Sequence, residues 1–119
     1  MADESIRGYL GSLEQQGELL RFNAEVDPHA DLTAIGWKTY DQLGKSSLFD
    51  NLKGFPGWRV ANQIVTDRRK WGIALGVAED QVIGELTART KGEIAPVSGD
   101  QAGAPVKEGI LRGAEADLT

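Results

Sequence analysis

The chain has 119 residues, 40% of them apolar and 26% charged, with 13 Lys and Arg against 18 Asp and Glu for a net charge of −5. That is the size and make-up expected of one globular domain, and the acidic balance, with no basic cluster interleaved with aromatics, argues against nucleic acid as a main partner. The absence of cysteine excludes disulfides and thiolate metal sites.

From the start, Asp3 is expected to cap a first helix in which Ile6, Leu10 and Leu13 recur at helical spacing, Tyr9 widens the apolar stripe and Gly17 stops the helix. Residues 18–26 alternate as a strand, with Leu20, Phe22, Ala24 and Val26 on one face. Asp27-Pro28 then reads as a helix start, an acceptor side chain followed by a proline whose missing N–H costs nothing there. This second helix runs to about Leu43 with Leu32, Ile35, Thr39 and Leu43 inward. Residues 47–51 form a short strand, Gly54-Phe55-Pro56-Gly57 a tight turn, and residues 58–65 the adjacent strand, with Val60, Asn62 and Ile64 alternating. Thr66 or Asp67 caps a helix carrying Trp71, Ala74 and Leu75 and closed by Gly76. A fourth helix over residues 78–90 presents Val82, Ile83 and Leu86 on one face. Ile94-Ala95-Pro96-Val97 is extended, residues 98–104 are a polar loop, and residues 105–111 are a last strand. The expected fold is α/β (mixed α+β), a small mixed sheet of about four strands covered by about four helices in a single domain.

Gly44-Lys45-Ser46 invites a phosphate-binding reading, which fails twice. The loop needs an earlier glycine where Thr39 stands, and its context runs helix-to-strand where a phosphate loop runs strand-to-helix. Gly44 is better explained as a helix terminus in the left-handed conformation. Arg68-Arg69-Lys70, at a helix start, reads as a solvated face. His29 is the only histidine, and a base needs an orienting partner as well. Asp27/Asp31 and Glu14/Glu18 are the carboxylate pairs at helical spacing; the first fits the positive end of a helix dipole, and the second is split by the helix end at Gly17. There is no Gly-x-Ser-x-Gly and no Gly-x-Gly-x-x-Gly after a strand. Trp37, Trp58 and Trp71 are read as core or interface residues. No catalytic, cofactor-binding or metal-binding residue is assigned.

Four local runs in order resemble the amino-terminal domain of the UbiD family of decarboxylases. They are Leu13-Glu14-Gln15-Gln16-Gly17-Glu18-Leu19-Leu20-Arg21 with Glu25-Val26-Asp27-Pro28; Ser47-Leu48-Phe49-Asp50-Asn51-Leu52-Lys53-Gly54; Arg59-Val60-Ala61-Asn62 through Trp71-Gly72-Ile73-Ala74-Leu75-Gly76-Val77; and Pro105-Val106-Lys107-Glu108-Gly109-Ile110-Leu111-Arg112-Gly113 with Ala116-Asp117-Leu118-Thr119. The resemblance spans essentially the whole chain. It implies an enzyme that uses prenylated flavin mononucleotide (prFMN) with Mn2+ and K+, for reversible non-oxidative decarboxylation of aromatic or α,β-unsaturated acids. The family's catalytic Glu–Arg–Glu group and metal ligands lie in its central cofactor domain and match no position here. Residues 1–113 are accordingly expected to be the amino-terminal domain, and residues 114–119 the start of a connection to a cofactor domain that this chain lacks. The expected partner is that cofactor-binding domain or subunit, in a homo- or hetero-oligomer, with neither nucleic acid nor membrane involved. No cofactor is expected on this chain alone. A free-standing assembly or binding module without an enzymatic partner is the alternative. No apolar run reaches membrane-spanning length, and the acidic Met1-Ala2-Asp3-Glu4-Ser5 is unlike a signal peptide, so a cytoplasmic location is expected.

Overall fold

A computed structural model of the chain describes residues 5–99, together with 103, 109, 111–113 and 116. Helix α1, Ile6–Gln15, is capped by Ser5, whose hydroxyl oxygen accepts from the Gly8 N–H at 3.2 Å; the cap expected at Asp3 lies outside the described residues. Gly17, at φ 74°, reverses the chain as anticipated and lets the Glu18 N–H bond back to the Leu13 carbonyl at 2.8 Å.

Strand β1, Leu19–Phe22, runs parallel to β2, Ser46–Phe49, which runs antiparallel to β3, Val60–Asn62, in the order β1-β2-β3. All four residues of the central β2 are buried. The register places Leu19, Leu48 and Ala61 on one face and Phe22, Phe49 and Val60 on the other. The first face packs under α1 and α3 (Arg68–Leu75), where Leu13, Leu19 and Leu48 cluster with Tyr9, Leu10 and Ile73. The second packs under α2 (Asp31–Leu43), with Phe49, Val26, Leu32 and Leu52 joined by Phe22, Ile35 and Val60. The rings of Phe22 and Phe49 stack 5.1 Å apart. The result is helix on sheet on helix, each buried aliphatic or aromatic side chain contributing about 1.5–3 kcal/mol of burial. A 3₁₀ turn, Glu79–Gln81, leads into α4, Val82–Arg89, which buries Val82.

The mixed fold stands as expected, with three strands among the described residues in place of about four. The fourth, expected over residues 105–111, lies mostly outside them. The other three are shorter than their alternation suggests, for local reasons. After Phe22 the ladder breaks, leaving Ala24 exposed, and resumes only as a single parallel bridge between Val26 and Leu52. After Asn62, Gln63 takes φ 57°, unusual for a side-chain-bearing residue, and turns the strand away; the Ser46 hydroxyl holds it by donating to the Gln63 carbonyl at 2.8 Å. The β2–β3 connection is two consecutive turns, Phe55 N–H to the Leu52 carbonyl and Trp58 N–H to the Phe55 carbonyl, rather than one tight hairpin.

Asp27 behaves as a cap one turn before the regular helix begins. Its carboxylate accepts from the His29 N–H at 2.9 Å, and its carbonyl from the Asp31 N–H at 3.1 Å. Leu43 is 58% exposed, against the expected inward position, because it sits on the last turn where the chain reverses into β2 beyond the strand ends. Ile83 is likewise outward, leaving Val82 and half-buried Leu86 as the inner positions of α4.

Candidate functional site

Gly44, at φ 66°, ends α2, and its N–H bonds back to the Tyr40 carbonyl at 2.7 Å. The Ser46 N–H is taken by the Glu18 carbonyl at 2.8 Å. These amides are spoken for within the fold, so the loop is no phosphate cradle. The carbonyl of Gly44 instead accepts from Lys70 Nζ at 2.7 Å.

Lys70 corrects the reading of Arg68-Arg69-Lys70 as a solvated face: its side chain is fully buried. Asp67 caps α3 by accepting from the Lys70 N–H at 3.0 Å through one carboxylate oxygen, and with the other it takes Lys70 Nζ at 2.6 Å. Glu18 lies 4.0 Å from the same ammonium and 3.1 Å from Arg69. The Tyr40 ring centroid is 5.0 Å away. The ammonium therefore sits at the negative end of the α2 dipole and at the start of α3, joining helices that cover opposite faces of the sheet. Burial pushes the Asp67 carboxyl up, but the two hydrogen bonds from Lys70 and the charges of Lys70 and Arg69 outweigh it and hold the group below its usual range. Above, the Tyr9 hydroxyl donates to the Ile64 carbonyl and lies 3.1 Å from that of Lys70. Burial first, and the Asp67 charge second, push its pKa up to about 12.

The members of the Glu14/Glu18 pair are divided among cations, and of Asp27/Asp31 only Asp27 meets one among the described residues. Glu14 takes the Arg21 guanidinium in a fork at 3.2 and 3.1 Å, while Glu18 faces Arg69 and Lys70. Asp27 meets Lys53 at 3.5 Å, and the His29 backbone N–H is the larger reason its carboxyl stays below the usual range. His29 is exposed. No three His, Asp or Glu side chains converge as metal ligands among the described residues. These residues do not fit a flavin phosphate or its metals.

The tryptophans are not core. Trp37, Trp58 and Trp71 are 54%, 69% and 38% exposed. Trp58 borders an open cleft of about 510 Å³ between α1 and β3, which it shares with Ile6, Arg7, Leu10 and Arg59. A sequence pattern gives little hint of this cleft, since its walls come from residues some fifty positions apart.

Fold and geometry together define a small three-layer α/β module, braced by a buried lysine and bearing an arginine-lined cleft. The chain belongs to the 3-octaprenyl-4-hydroxybenzoate carboxy-lyase N-terminal domain family, the UbiD amino-terminal domain, whose pattern matches residues 10–90. Among solved structures it is similar to an evolved dimeric form of the UbiD-class enzyme HmfF from Pelotomaculum thermopropionicum in complex with prFMN, at 32% identity and a TM-score of 0.70 over 94% of this chain and 26% of that one. Vanillic acid decarboxylase of Sedimentibacter hydroxybenzoicus shares the fold. Its closed form gives 22% identity and a TM-score of 0.69 over 93% of this chain and 25% of that one. Its open form gives 24% identity and a TM-score of 0.66 over 75% and 20%. The chain thus spans a quarter or less of the length of two of these structures and 26% of the third. No helix among the described residues is long and apolar enough to cross a membrane.

Proposed function

We propose that this chain serves as the amino-terminal domain, within a longer chain or as a separate subunit, of a cytoplasmic UbiD-like enzyme that catalyses reversible non-oxidative decarboxylation of an aromatic or α,β-unsaturated carboxylic acid. The family match over residues 10–90 carries this reading. The likeness to a prFMN-bound UbiD-class enzyme and to a vanillic acid decarboxylase supports it. Residues 1–113 form the domain, and residues 114–119 lead toward the cofactor domain. The role is structural: the sheet and its braced helices pack against a cofactor-binding domain or subunit, which supplies prFMN, Mn2+, K+ and the acid–base groups, in a homo- or hetero-oligomer.

Reconstitution tests it. The chain is mixed with a cofactor-bearing chain of a UbiD-type enzyme from the same source, and carbon dioxide release from aromatic acids is followed. Association and a gain in activity are expected. The chain purified alone is expected to show no flavin absorption. If the two chains do not associate and activity does not change, the subunit reading is refuted, and flavin retained by the chain alone would refute the division of labour.

A further inference from the structure

The cleft beside Trp58 carries positive charge that no ion pair among the described residues answers. Arg7, on α1, and Arg59, just before β3, line it with Ile6, Leu10, Trp58 and Ala61, and among the described residues no Asp or Glu contributes to its wall. A smaller hollow of about 110 Å³ continues from it, bounded by the same Arg7 and Arg59 with Arg21 and Glu14. The one carboxylate there is already consumed, because Glu14 forks onto Arg21. The ion pairs among the described residues leave out both Arg7 and Arg59. Beside these two cations stand Trp58, 69% exposed, and Ile6, 55% exposed. A positive, partly apolar cleft on a chain of net charge −5 stands out against the rest of the surface.

The chemistry of this patch selects its occupant. A small-molecule site encloses most of its ligand, whereas Trp58 lies largely in solvent on an open wall. Two cations are too few for nucleic acid on an acidic chain. Tryptophan and arginine are, however, the residues that dominate protein interfaces: a rigid apolar plate beside a weakly hydrated guanidinium that grips carboxylates in a fork. We propose that this cleft is the docking site for an acidic segment of the cofactor-bearing domain or subunit, with Asp or Glu side chains on Arg7 and Arg59 and an apolar side chain between Trp58 and Ile6. The proposal rests on the amino-terminal-domain reading above and adds to it the surface and the chemistry of the contact.

The test measures association of this chain with the cofactor-bearing chain by sedimentation at two ionic strengths. Four forms are compared: wild type, Arg7→Glu/Arg59→Glu, Trp58→Ala, and Trp37→Ala, the last altering an exposed tryptophan on α2 across the sheet. All substituted side chains are exposed, and circular dichroism confirms that each variant folds. Wild type and Trp37→Ala are expected to bind alike, and more weakly as salt rises. The double charge reversal and Trp58→Ala are each expected to lose about tenfold or more in affinity. If wild type binds and the cleft variants bind equally well, the docking proposal is overturned while the domain reading stands. Loss confined to Trp37→Ala overturns it in favour of the α2 face. If wild type does not associate at all, the separate-subunit reading fails, and the docking proposal with it.

Discussion

An ammonium shut away from water needs its charge matched in place, and Lys70 has that from three directions: the Gly44 carbonyl at 2.7 Å, Asp67 at 2.6 Å and Glu18 at 4.0 Å. The two partners of its shortest contact are not equally placed. Asp67 keeps 28% of its side chain in solvent and Lys70 none, so losing the cation leaves a carboxylate that water can reach, whereas losing the carboxylate strands a buried charge. Asp67→Asn, which keeps a good helix cap, is therefore expected to cost about 3 kcal/mol, more than Lys70→Met at about 1–2 kcal/mol, as read from urea unfolding. The order of the two is the sharper observation, and the reverse order would refute this assignment of burial. The pH dependence has a definite sign. Asp67 titrates lower in the folded chain than at its ordinary 3.8, so its contribution is complete above that value and is lost as pH falls below it. That acid-side slope should shrink in Asp67→Asn. Tyr9 acts at the other end: its phenol holds its proton to about 12 when folded, against 10.0 ordinarily, so stability declines across that interval as pH rises. Gly44 was legible as a helix terminus, because a left-handed glycine after an apolar helical run is a local signal. Lys70 was not, because its burial depends on a carbonyl 26 residues away, and a run of three cations looks the same whether solvated or enclosed.

At the scale of elements, the signals that came through are those written within one turn of chain. Asp67 and Gly76 bracket α3 as expected, since a cap and a left-handed glycine act on their immediate neighbours. Strand length did not come through. Trp58, Val60, Asn62 and Ile64 alternate well past the three residues that pair, and Gln63 carries no mark of the positive φ that ends the ladder. Close packing between elements is equally silent in sequence, and Gly72 shows its size. A methyl group added there would lie 2.8 Å from the Val77 backbone carbonyl oxygen, so α3 and the turn after it would have to part. Gly84, on α4, has nothing within 4 Å of the same position. Gly72→Ala is expected to destabilise by about 1–3 kcal/mol through overpacking, whereas Gly84→Ala should stabilise by about 0.5–1 kcal/mol through reduced freedom of the unfolded chain. Thermal unfolding of the pair checks this directly, with midpoints expected to move in opposite directions.

At the scale of the whole molecule, α4 is the last regular element among the described residues. Val82 is 1% exposed, whereas Ile94 and Val97, the apolar residues of the extended run that follows, are each 92% exposed. Side chains so open to water bury almost no apolar area, and burial is what stabilises a fold of this size. The double substitution Ile94→Ser/Val97→Ser is therefore expected to unfold in urea within about 0.5 kcal/mol of wild type. Its denaturant slope should be nearly unchanged, since that slope follows the surface exposed on unfolding. A fall in both stability and slope would mean that these two side chains cover the core and would refute the prediction. The variant also separates stability from association. If it keeps its stability but loses affinity for the cofactor-bearing chain, the apolar side chains of Ile94 and Val97 belong to the contact between the two, and Trp58, Arg7 and Arg59 are one part of a longer interface. If affinity survives as well, these two side chains lie outside the contact, and the cleft between α1 and β3 stays the surface proposed for it.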